Sequence, residues 1–86
     1  MDLSDWRARI DTLDQILVDL LNRRMRYALE IGEIKNAHAQ PIRDPAREQA
    51  VIEAIKTYNN GPMTDEALEE IFTRIMAEAR HLEAEE

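Results

Sequence analysis

Two cations interrupt an otherwise apolar helical stripe. Leu13, Leu17, Leu20, Arg24, Ala28, Ile31 and Lys35 follow one another at steps of three or four residues, which places them on one helix face. Arg24 and Lys35 are eleven residues apart, about 20° in rotation and roughly 16 Å along a helix axis. Between them lie only Ala28 and Ile31, so two positive groups bracket a shallow apolar gap. A small dianion could lie there with its ring against Ile31. A second stripe, Phe72, Met76, Ala79 and Glu83, ends on an acid that could approach Lys35 or Arg24 if the two stripes pack together. Each charge also has a plain reading. A cation on such a stripe snorkels or pairs with an acid, and Glu83, four residues from the C-terminal end, reads as solvated.

The segment Pro41-Ile42-Arg43-Asp44-Pro45-Ala46-Arg47-Glu48 concentrates more charge. Structurally it is a helix N-cap with solvated neighbours. Functionally it is a lid of two arginines with a cap carboxylate and an acceptor in Glu48, at a helix N-terminus that suits an anion. Arg7 precedes Arg24 by 17 residues, about 100° off that face and some 25 Å away. It cannot join its own chain's pocket, but in an antiparallel dimer it could enter the partner's. Trp6, Tyr27 and Phe72 read as packing or interface residues, and His38 and His81 as surface residues. No Ser/His/Asp pattern, Gly-rich phosphate loop or metal-ligand spacing occurs, so no metal site is expected.

The elements that must position these groups are helices. From about Ser4 to about His38 there is no proline, and Ile10, Leu13, Ile16, Leu17, Leu20, Leu21, Met25, Ala28, Ile31 and Ile34 recur at helical spacing. Ser4 is the expected N-cap, and the glycine at 32 costs about 1 kcal/mol, too little to break a helix this long. Asp44-Pro45 reads as cap and first helical residue of a short helix over 45–56. Turn residues fill Thr57–Met63, and Thr64 caps a third helix over 64–83, followed by a frayed tail through Glu86. The chain thus reads as one all-α domain over 1–86.

Size points to a partner. Eighty-six residues without cysteine bury a modest core, which such small domains usually reinforce. A first helix of about 35 residues is roughly 50 Å long, more than either later helix can cover. Pairing two chains along it predicts an intertwined homodimeric helical bundle. With 44% hydrophobic and 34% charged residues and a net charge of -7, the composition disfavours nucleic acid as a partner. No membrane span or signal peptide is evident, so a cytoplasmic location is expected.

Taken in order, Arg7-x-x-Ile10-Asp11-x-Leu13-Asp14-x-x-Leu17-x-x-Leu20-Leu21-x-x-Arg24, Ile31-Gly32-x-x-Lys35 and Pro41-Ile42-Arg43-Asp44-Pro45-x-Arg47-Glu48 resemble the all-helical (AroQ-type, type II) chorismate mutases, from about residue 4 to residue 83. The resemblance implies a cofactor-free rearrangement of chorismate to prephenate in phenylalanine and tyrosine biosynthesis. It implies a pocket within one subunit's three helices, completed by one arginine from the other. Arg24 and the partner's Arg7 are then expected to bind the two carboxylates, with Arg47 and Arg43 adding charge at the edge. Asp44 and Glu48 are expected to meet the ring hydroxyl. Lys35 would donate to the ether oxygen, with Glu83 where the family has Gln or Glu. Ala79 departs from the resemblance, standing where many members have a serine that touches substrate.

The reaction itself requires orientation of the substrate and stabilisation of charge growing on the ether oxygen. Glu83 can donate there only when protonated, so activity is expected to be best at mildly acidic pH. Two alternatives share the resemblance. One is an isochorismate pyruvate lyase, and the other a non-catalytic mutase-like domain for ligand sensing or dimerisation.

Overall fold

A computed structural model describes residues 1–84 and contains three helices, α1 (Leu3–Ala37), α2 (Pro45–Tyr58) and α3 (Asp65–Ala84), with no strand among the described residues. The start of α1 differs from the expectation. Asp2, not Ser4, is its cap: the Asp2 carboxylate accepts the Asp5 N–H at 3.0 Å, and the Asp5 carboxylate accepts the Asp2 N–H at 3.1 Å. That reciprocal box satisfies two amides which a helix start otherwise leaves unpaired.

The other end of α1 closes through two backbone bonds. The Ala39 N–H donates to the Asn36 carbonyl at 3.3 Å and the Gln40 N–H to the Lys35 carbonyl at 2.8 Å, with Ala39 at a φ of 53°. This closure is usually built on glycine, because a Cβ is strained in the left-handed region. Ala39→Gly is therefore expected to stabilise the protein by about 0.5–1 kcal/mol in chemical denaturation. A loss of stability there would contradict the left-handed turn.

Asp44 caps α2 by accepting the Arg47 N–H at 3.0 Å, ahead of Pro45 in the first turn. Thr64 caps α3 in the same way, its hydroxyl accepting the Ala67 N–H at 3.1 Å. Asn59 organises the turn between them. It accepts the Gly61 N–H at 2.9 Å and donates to the Met63 carbonyl and the Asp65 carboxylate, each at 2.8 Å.

α3 packs against both other helices, whereas α1 and α2 do not approach each other among the described residues. The buried apolar core is small: Ala28, Ile52, Met76 and Ala79. Two ion pairs tie α2 to α3, Lys56 with Glu69 at 2.6 Å and Arg80 with Glu48 at 2.5 Å. The hydrogen bond to Glu69 holds the Lys56 ammonium above the ordinary lysine range.

Where α3 meets α1, the backbones nearly touch. A Cβ built on Gly32 would lie 2.9 Å from Glu83 Cα and 3.0 Å from the Glu83 carbonyl oxygen. The expected frayed tail is thus corrected: α3 continues through Ala84, and Glu83 is buried, 7% exposed. Glu85 and Glu86 lie outside the described residues. The N-terminal half of α1 has the opposite character. Leu13, Leu17 and Leu20 are 61%, 52% and 56% exposed, and no residue from Met1 to Leu20 is covered. No described helix is long and apolar enough to cross a membrane.

Candidate active site

The gap between α1 and α2, floored by α3, is a cavity of about 350 Å³, within the size range of small-ligand sites. α1 contributes Arg24, Ala28, Ile31 and Lys35 to its wall; α2 contributes Asp44, Arg47, Glu48 and Val51; α3 contributes Met76, Ala79, Arg80 and Glu83. Ile42 from the connecting loop and Tyr27 complete it. The spacing of the α1 residues explains their common direction, since steps of three and four keep them on one face. Met76, Ala79, Arg80 and Glu83 share a face of α3 for the same reason.

Most of the charge inside is already committed. Lys35 Nζ lies 2.9 Å from Glu83 Oε1, close enough for an ion pair but without hydrogen-bond alignment. Its directed bond goes to the Ile42 carbonyl at 2.8 Å. Glu83 Oε1 is therefore a buried oxygen with no hydrogen-bond partner among the described residues. Arg80 is paired with Glu48, and the Asp44 carboxylate is engaged as the α2 cap.

That leaves Arg24 and Arg47. Neither guanidinium makes an ion pair or a hydrogen bond among the described residues, yet both line the cavity. On a chain of net charge -7, this is a local concentration of uncommitted positive charge. The cavity can therefore hold an anion by its guanidinium side. Lys35 and Glu83 sit at another part of the wall over an apolar floor of Ala28, Ile31, Val51 and Met76.

The family model for chorismate mutase type II matches residues 6–84. The chain belongs to the chorismate mutase type II family. It is 39% identical over 77 residues to a bifunctional chorismate mutase/prephenate dehydratase from Neisseria gonorrhoeae, an alignment covering 90% of this chain and 21% of that protein. The chain thus spans about a fifth of the length of that relative. Two solved structures share the fold. Chorismate mutase from Thermus thermophilus superposes with a TM-score of 0.95 at 27% identity, covering 98% of this chain and 96% of that one. Chorismate mutase from Helicobacter pylori, in complex with prephenate, superposes with a TM-score of 0.86 at 33% identity, covering 94% and 88%.

The cavity gathers Arg24, Lys35, Asp44, Arg47, Glu48 and Glu83 from the residues singled out in the sequence. Arg43 is exposed and does not line it. Arg7 lies in the uncovered half of α1, in a shallow depression with Asp2, Leu3, Ser4, Ala8 and Asp11, away from its own chain's cavity. Arg80 lines the wall and is absent from the sequence reading. The signal was available in its position, four residues after Met76 and three before Glu83, on the same helix face.

Proposed function

We propose that this chain is a chorismate mutase that converts chorismate to prephenate as a cytoplasmic homodimer, without a cofactor. The observation carrying the reading is the division of the cavity wall: Arg24 and Arg47 uncommitted, Lys35 and Glu83 paired, and an apolar floor between. Chorismate is a dianion with a ring, an enolpyruvyl side chain and one ether oxygen to be cleaved. Guanidinium forks hold carboxylates in fixed planes, so Arg24 and Arg47 restrain the side chain over the ring. Holding that reactive geometry is the larger part of catalysis for an intramolecular rearrangement. Lys35 donates to the ether oxygen as negative charge grows there. Asp44 and Glu48 accept from the ring hydroxyl.

The dimer supplies what one chain lacks. The uncovered leucines of α1 favour a second copy as their cover, because burying them removes apolar surface from water at about 25 cal/mol per Å². The same pairing brings the partner's Arg7 to the cavity as a third guanidinium for the carboxylates. Loss of chorismate absorbance with formation of prephenate tests the reading directly. Salicylate formed from isochorismate, with no turnover of chorismate, would identify a pyruvate lyase instead. Ligand binding without turnover would identify a sensing domain.

Glu83 joins Lys35 as a donor only when it carries a proton, since a carboxylate has none to give. Glu83→Gln carries a permanent N–H donor and is therefore expected to hold or raise kcat on chorismate. A large fall in kcat in the variant would remove position 83 from the mechanism as a donor.

A further inference from the structure

We propose that Arg80 is a positioning residue, holding the Glu48 carboxylate in the orientation that receives the substrate's ring hydroxyl. The inference rests on the chorismate mutase reading above. Arg80 Nη1 donates to Glu48 Oε2 at 2.5 Å, and both side chains line the cavity. Glu48 has no other side-chain partner among the described residues, so one oxygen is bound and Oε1 is left to accept.

The architecture makes this contact matter. The cap and first turn of α2 carry Asp44, Arg47 and Glu48, and α2 packs on α3 without approaching α1. The other ion pair joining α2 to α3, Lys56 with Glu69, lies at the far end of α2. Near the cavity, Arg80 alone supplies an ionic tie between the two helices among the described residues. A glutamate without such a tie samples several rotamers, and each hydrogen bond to the hydroxyl must then overcome that freedom. A guanidinium gripping one oxygen removes most of it in advance.

A simpler role is conceivable, in which the pair only braces two helices. Partly exposed pairs contribute little to stability, and a brace would affect every substrate alike. Steady-state kinetics of Arg80→Gln, Arg80→Lys, Glu48→Gln and the double variant Arg80→Gln/Glu48→Gln separate the two roles. Each is assayed with chorismate and with the analogue lacking the ring hydroxyl, alongside thermal unfolding. Arg80→Gln is expected to raise KM for chorismate roughly tenfold, the order of one hydrogen bond to a charged acceptor, with kcat little changed. Arg80→Lys, which retains the charge, is expected to recover most of the loss. The double variant is expected to be no worse than Glu48→Gln alone. With the deoxy analogue, Arg80→Gln and the unaltered chain are expected to match.

Equal losses on both substrates, or additive losses in the double variant, overturn the positioning role. If Arg80→Gln does not fold, Arg80→Lys and the analogue comparison still decide. An unaltered chain inactive on chorismate overturns the mutase reading itself, and this inference with it; an active chain with equal losses overturns the inference alone.

Discussion

Lys35→Ala is expected to lower kcat on chorismate by about 10²–10³-fold, or roughly 3–4 kcal/mol in the barrier. The effect follows from where charge appears. The ether oxygen of chorismate becomes negative as its bond to the ring breaks, and Lys35 is the ammonium beside Glu83 on the proposed donor side of the wall. Two consequences of the substitution must be separated. Glu83 is buried at 7% exposure, and removing its ammonium leaves an acid without its counter-charge, which costs roughly 3 kcal/mol of stability in comparable sites. Lys35→Ala/Glu83→Gln removes that second effect. The double variant is expected to regain most of the lost melting temperature while kcat stays low. A double variant that recovers both would show that Lys35 serves stability rather than the reaction.

The second large effect concerns Arg7 and Arg24. Each alanine variant alone is expected to lose about 30- to 100-fold or more in kcat/KM, since each removes a charged hydrogen-bonding partner of a carboxylate. Mixed and allowed to exchange subunits, the two inactive proteins are expected to recover about a quarter of the unaltered activity. The arithmetic is that of a two-fold dimer. About half of the dimers are mixed, and in each of these one pocket keeps its own Arg24 and receives an intact Arg7 from the other chain. The neighbouring pocket loses both. The motive is geometric: Arg7 sits in the uncovered half of α1, distant from the cavity that Arg24 lines. If mixing restores nothing, Arg7 does not act across subunits. Recovery to the level of the unaltered protein would equally contradict one crossed arginine per pocket.

The three helices and their order were legible because the chain punctuates itself. Pro41, Asp44-Pro45 and the turn residues before Thr64 leave few other places to break it, although α2 runs through Tyr58, two residues beyond the expected end. The α1 side of the site was legible for a related reason, since a helix converts spacing into direction without help from tertiary structure. What failed to show depended on contacts that residue type and spacing alone do not fix. Ser4 and Asp2 are both competent caps by type, and the choice is made by Asp5 reaching back to the Asp2 N–H. Glu83 resembled a solvated end because nothing in its own helix reveals that Gly32 lets α1 come against it. Arg80 shares a helix face with Met76 and Glu83, but spacing alone does not give its partner. Its importance is visible only once Glu48, 32 residues earlier, is found opposite it.

Gly32 and Ala39 occupy each other's ordinary places, and this bears on any attempt to engineer the protein. Helix propensity favours alanine over glycine at an interior position by about 1 kcal/mol, while the left-handed turn after α1 favours glycine. A redesign guided by local preference would therefore exchange both. At position 39 the exchange is free of conflict. At position 32 the added methyl would meet the Glu83 backbone at 2.9–3.0 Å, forcing the helices apart and drawing the acid away from Lys35. Local helix propensity and the packing of α1 on α3 thus pull in opposite directions at that one residue. A missing side chain, rather than any charged one, lets Glu83 come within 2.9 Å of Lys35.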